Sequence, residues 1–256
     1  MSGPLNPRIP SIPVKRSPRP ARPWAAWYNS GGGTDSRPGH QSGPRGGFVF
    51  RHPEQFIYLA VALLASLTIH EAAHAFVAHA LGDSTAKNLG RLSLNPVRHL
   101  DPLGTIFLVV MAFSGVGIGW AKPVPVNPYN LRIGAKSGMA VVALAGPMSN
   151  MVLAAALFVF AQSTPLTSGS LLLNLIEAGF WVNVSLAAFN LIPVPPLDGF
   201  SVLLGILPNA PAYSLARLAP YGPAMLLLLI VFPGLLSTIL NPLRNFVASI
   251  VTFGAF

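Results

Sequence analysis

Residues 55–82 read QFIYLAVALLASLTIHEAAHAFVAHALG, and this stretch decides the fold. From Phe56 to Ile69 it carries no charge. Then His70, Glu71 and His74 interrupt an apolar run that resumes at Ala75. Its helical length of about 42 Å exceeds a hydrocarbon core of about 30 Å, so it reads as a membrane-crossing helix that tilts or protrudes. His70 lies about 22 Å along it, in the far half of the bilayer. A charged group in hydrocarbon costs at least about 2.5 kcal/mol and is rarely kept there without a function or a partner. Positions i and i+4 share one helix face, so His70 and His74 can present their imidazoles to one point. A zinc ion suits that point, with Glu71 beside it as general base.

The rest of the composition agrees with a membrane setting. The chain is 52% hydrophobic and only 9% charged, with a mean hydropathy of +0.57. A soluble domain carries about 25% charged residues. The expected fold class is an all-α polytopic membrane protein. With no cysteine, disulfides and thiolate metal sites are excluded, and any metal must be held by His, Asp or Glu.

The net charge of +9 is concentrated at one end. Residues 1–53 hold eight of the sixteen Lys and Arg against a single acid, Asp35, together with ten prolines and eight glycines. Such a segment buries too little apolar surface to offset its ordering entropy, so 1–53 reads as a disordered basic tail and 54–256 as the membrane-embedded domain. The tail has no long apolar run and does not read as a secretory signal. Its proline density argues against the amphipathic helix of a transit peptide. Its cations suit anionic lipid headgroups, and no nucleic-acid partner is expected.

Downstream, residues 83–103 are polar and rich in turn formers, so His99 and Asp101 are expected to be solvated. Ile106–Ile118 is apolar but too short for a full span and suits a re-entrant segment. Prolines 123, 125 and 128 keep Trp120–Pro128 from being helical and impose extended backbone. Further spans are expected at about Gly138–Gln162, which contains Asn150, and Leu171–Ile192. Ala224–Leu240 is another, interrupted by Pro233-Gly234, and Phe246–Phe256 is a short apolar end. The core is thus three transmembrane helices, a re-entrant or extended loop and additional C-terminal helices.

A hydrolytic zinc site needs three protein ligands and an open position for water. Asp83 is about 13 Å along the helix from His74, and His79 points off the metal face. Glu177 and Asp198 are the competitors for the third place. If Ile106–Ile118 is re-entrant, the first and third spans run in parallel. Asp198, after the proline-broken 193–196 stretch, then matches the zinc depth, while Glu177 falls about 15 Å short. If that segment crosses fully, the match fails and Glu177 returns. Gly199 lets the chain turn beside Asp198 without a Cβ clash.

Taken together, the motifs resemble the site-2 protease family of intramembrane zinc metalloproteases. They are His70-Glu71-x-x-His74, Gly146-Pro147-x-x-Asn150, and Asn190-x-x-Pro193-x-Pro195-x-x-Asp198-Gly199. Leu81-Gly82-Asp83 and the 120–127 loop are also similar to small bacterial members, and no PDZ domain interrupts the core. The resemblance implies His70, His74 and Asp198 as zinc ligands and Glu71 as general base. It implies that Asn150 and Asn190 bind substrate, and that 120–127 offers an edge to an extended substrate. The implied activity is endoproteolysis of transmembrane segments of single-span proteins by a multi-pass protein of the cell (inner) membrane. The implied active site faces the cytosol. Lys87, Arg91, Arg98, Lys122, Arg132 and Lys136 on that side outnumber Arg37, Arg45 and Arg51 on the other, as the positive-inside tendency requires. The rival function is a membrane metal or ion transporter using the same His and Asp residues.

Overall fold

A computed structural model describes residues 53–101, 104, 106, 122–167 and 169–255. The expected basic tail and most of the expected re-entrant segment lie outside the described residues.

The first helix, α1, is Pro53–Ala80. Pro53 suits a first helical position because its missing N–H would have no partner there. The helix stops at Gly82, which takes φ +110°. The Gly82 N–H returns to His79 O at 3.0 Å and the Asp83 N–H to Ala78 O at 2.9 Å. This 6→1 and 5→2 pairing is a Schellman cap, and its left-handed position favours glycine. A short helix α2, Thr85–Asn88, follows.

The next long helix, α3, is Ala135–Ser163 and carries Pro147 within it. Helix α4, Leu171–Asn190, starts at a Ser170 cap whose side chain accepts from the Leu173 N–H. Beyond it come α5 (Asp198–Ile206), α6 (Asn209–Ala216), α7 (Gly222–Val231) and α8 (Pro233–Val251). Among the described residues, four stretches are long and apolar enough to cross a membrane: Pro53–Ala80, Ala135–Ser163, Leu171–Asn190 and Asn209–Val231. The protein is an all-α polytopic membrane protein.

The last part of the chain departs from the sequence reading. The fourth stretch covers Asn209–Val231 instead of 224–240, because the break falls at Phe232. Pro233 opens α8 and steers the residue before it out of the helical region; Phe232 sits at φ −108°, ψ 78°. The expected short apolar end is the last part of α8. Val247, Ala248 and Val251 pack there in one core with Ala154 of α3 and Phe180, Val184, Ala187 and Ala188 of α4.

Small residues set the close approaches. Ala75 and Ala78 of α1 are fully buried, and Ala78 packs with Leu131 and with Val142 of α3. In hydrocarbon, where apolar side chains gain nothing by leaving lipid, such close contact is a main source of helix association.

The 83–101 loop is not simply solvated. Asp83 has 0% exposure, and Arg91 and His99 are also buried. Each is admitted by its hydrogen bonds. Asp83 accepts from Thr85 N (3.1 Å) and Oγ1 (2.6 Å), Asn130 Nδ2 (3.0 Å) and Asn127 N (2.8 Å). Burial alone would push its carboxyl up, but the bonds from Thr85, Asn130 and Asn127 outweigh that and hold it below the ordinary carboxylate range. The Arg91 guanidinium donates to Arg98 O, Lys122 O and Pro123 O, and His99 Nε2 to Ser93 O at 2.7 Å. Residues 122–127 are irregular, as the prolines require, and Pro128–Asn130 forms a single 3-10 turn. Two buried charges thus hold this segment, Arg91 at one end and Asp83 at the other.

Candidate metal centre

His70 and His74 lie one turn apart on α1, both buried. Their rings meet edge-on, with centroids 4.6 Å apart and planes at 86°. The two Nε2 atoms are 3.0 Å apart. Asp198 Oδ2 lies 3.2 Å from His70 Nε2 and 3.3 Å from His74 Nε2. Among the described residues, these three side chains are the group whose donor atoms converge closely enough to hold a metal ion. Glu177 is half-buried within α4 and takes no part.

Hydrogen bonds behind the rings determine which nitrogen carries the proton. His74 Nδ1 is 2.7 Å from Val142 O, and a carbonyl only accepts, so Nδ1 holds the hydrogen. His70 Nδ1 is 2.6 Å from Asn150 Oδ1. The Asn150 amide cannot be reversed, because its Nδ2 donates to Ser66 O (3.3 Å) and Asn183 Oδ1 (2.7 Å). His70 therefore also carries its hydrogen on Nδ1. In the neutral rings both Nε2 atoms are bare lone pairs facing each other and a carboxylate oxygen.

Three acceptors this close repel unless a cation lies among them. Among the described residues, Asp198 Oδ2 is buried without a hydrogen-bond partner, an expensive state for a carboxylate oxygen. Ligands about 2.0–2.1 Å from a tetrahedral zinc stand roughly 3.3 Å from one another, which matches the observed spacing. The donor set of two imidazoles and one carboxylate is that of an open, hydrolytic site. The surroundings leave room for an ion. A Cβ on Gly146 would run into His74 Nε2 and would lie 2.6 Å from His70 Nε2 and 2.5 Å from its Cε1.

Backbone chemistry brings the pieces together. Pro147 has no N–H to offer Ala143, and the carbonyl one residue before Ala143 is the one that receives His74. Asp198 is the first residue of α5. It is delivered by a tight turn in which Val194 N bonds Ile192 O and Leu197 N bonds Val194 O. A Cβ on Gly199 would strike the Leu191 and Ile192 carbonyls, so glycine is what lets α5 begin here.

Homology supplies a second line of support. The model of peptidase family M50 matches residues 166–230, the span that includes α4 and Asp198. The Bacillus subtilis (strain 168) protein named "Putative zinc metalloprotease YwhC" is 39% identical over 196 residues, covering 73% of this chain and 86% of that one. The chain belongs to peptidase family M50. The Rip2 protein of Mycolicibacterium smegmatis, described in the same words as YwhC, is 30% identical over 189 residues, 70% of this chain and 69% of its own. The zinc metalloprotease MJ0392 of Methanocaldococcus jannaschii is 28% identical over 200 residues, 77% of this chain and 48% of its own. No solved structure gives a significant match. As an M50 protein with four apolar stretches, the chain is an integral membrane metalloprotease with a metal cofactor.

The other expected site residues fall as follows. Glu71 is largely buried beside the ligands. Asn150 has 0% exposure, and its amide bonds His70, Ser66 and Asn183, which sets it directly behind the His70 ring. Asn190 ends α4, half-buried, and its Nδ2 donates to Leu186 O at 3.0 Å. Sequence reasoning missed Asn183, Ser66 and the carbonyl of Val142. Asn183 had a signal, a lone amide in mid-span. Ser66 stands four residues before His70 on the same face. A main-chain acceptor leaves no trace in a side-chain pattern.

Proposed function

We propose that this protein is an intramembrane zinc endopeptidase that cleaves transmembrane segments of single-span proteins. The observation that carries the reading is the convergence of His70 Nε2, His74 Nε2 and Asp198 Oδ2 within 3.3 Å, built on a helix apolar enough to span a bilayer.

The three side chains would hold the zinc, which when bound polarises a peptide carbonyl and acidifies water. Glu71, next to His70 on α1, takes the proton of the attacking water and delivers it to the leaving amine. Asn150 orients His70. Asn190 is left as the amide for the substrate, its Oδ1 taking no hydrogen bond among the described residues. An apolar groove of about 520 Å³ lies between α1 and α3, lined by Ile69, Ala73, Phe76, Val77, Met148 and Val152 among others. Its chemistry suits a lipid-soluble peptide. A helical substrate must unwind locally, because its carbonyls are otherwise hydrogen-bonded, and the 122–127 backbone would hold it by edge pairing. The cell membrane is the proposed location.

The test is Glu71→Gln, co-expressed with a panel of single-span membrane proteins. Cleavage should vanish while bound zinc stays near one per chain. Cleavage that survives the substitution, or wild-type protein purified without zinc and inert to added zinc, overturns the proposal.

A further inference from the structure

Behind His70 lies a chain of buried amides that reaches a third helix. His70 Nδ1 donates to Asn150 Oδ1 at 2.6 Å, and Asn150 Nδ2 donates to Asn183 Oδ1 at 2.7 Å. Asn183 Nδ2 donates to Ser66 Oγ and to Gly179 O, both at 2.8 Å. Asn150, Asn183 and Ser66 are each at most 1% exposed. The chain links α1, α3 and α4 and returns to α1.

The direction of every bond follows from its ends. Gly179 O only accepts, so the Asn183 amide presents Nδ2 to it and Oδ1 to Asn150. Ser66 O only accepts, so Asn150 also turns Nδ2 that way and Oδ1 to His70. Two main-chain carbonyls therefore propagate a unique polarity to the ring nitrogen. Asn183 offers the Oδ1 without which Asn150 would have one poorer partner, Ser66 O at 3.3 Å, and could rotate.

We propose that Asn183 is a positioning residue for the metal site, acting through Asn150 to keep the hydrogen of His70 on Nδ1 and Nε2 free for the ion. The inference rests on the reading of His70 as a metal ligand. Ser66 completes the positioning by receiving Asn183 Nδ2. A partner bonded directly to a ligating ring, the place Asn150 takes, typically changes metal affinity by about 10–100-fold, and Asn183 acts one bond behind it. Asn183 touches no ligand, so a purely structural role predicts lost stability without a specific metal defect.

The test uses full-length purified protein and zinc alone as probe, with affinity read by competition against a chromogenic chelator. Asn183→Leu, of similar volume, should weaken zinc by about 10-fold or more. In an Asn150→Ala background the same change should add nothing, because the path to His70 is already cut. With cobalt(II) in place of zinc, the visible ligand-field bands of Asn183→Leu should shift, since ring geometry at His70 changes. Wild-type zinc affinity in Asn183→Leu, or losses that simply add in the double variant, overturns the proposal. If Asn183→Leu does not fold, Ser66→Ala decides: weakened zinc supports the relay and unchanged zinc refutes it. Wild-type protein that binds no zinc would instead defeat the protease reading itself, a separate outcome.

Discussion

Gly146 faces His70 across the α1–α3 interface with room for a hydrogen atom and no more: a methyl there would run into His74 Nε2 and lie 2.6 Å from His70 Nε2. Gly146→Ala should keep the fold, since alanine favours helix, yet displace the imidazoles. A misplacement of about 1 Å can cost about 10²-fold in rate. We expect activity to fall by that order and bound zinc to drop below one per chain, measured by peptide cleavage and elemental analysis. Full zinc with full activity would show that α3 does not crowd the site.

Asp198 and Glu177 are both acids of the membrane domain, and they should behave oppositely. Asp198→Ala removes a donor atom from the cluster and should cost more than the about 10–100-fold in zinc affinity typical of an outer-shell partner. Glu177→Gln should leave zinc content and cleavage near wild type. Metal analysis of the two purified variants side by side checks this, and a reversed pattern would move the third ligand to α4.

The carboxylate of Asp83 carries a pH signature. Its folded pKa lies below the ordinary value, so its contribution to stability is fully present above the unfolded pKa, about 3.9. That contribution fades as pH falls through the folded pKa. Asp83→Ala strands buried donors and should cost about 1–3 kcal/mol at pH 7. The gap between wild type and variant should close in strongly acidic solution, read from unfolding in detergent at both pH values. An equal gap at both would assign the effect to packing.

Arg91 pins Lys122 O and Pro123 O with one planar guanidinium. A lysine ammonium has no fork with which to reach both carbonyls and Arg98 O together. Arg91→Lys should speed amide exchange across 122–127 while zinc affinity holds. Unchanged exchange there would mean that the segment is held by other contacts.

What the sequence made legible were features written in side chains at fixed spacing. His70 and His74 are an i, i+4 pair, Asp198 follows a proline-broken turn, and Gly199 stands where a Cβ would collide. Spans α1, α3 and α4 were legible because hydropathy is continuous along each. The end of α7 was not, because residues 224–240 are apolar on both sides of Phe232 and only local proline geometry places the break. The 83–101 loop misled at His99, where polarity was equated with solvation, whereas the ring is buried on the Ser93 carbonyl; the burial of Asp83 and Arg91 likewise leaves no mark in a polar, turn-rich stretch. The bonds of Asn150 were not legible for a similar reason: a lone amide in a span does not reveal which neighbours it meets.

The absence of cysteine has a consequence for the environments in which the enzyme can work. Sites that grip their ion through sulfur release it when peroxide or hypochlorite oxidises the thiolate. The proposed cage of two imidazoles and a carboxylate would offer such reagents no sulfur to attack, so its ion would outlast an oxidative burst that empties a thiolate site.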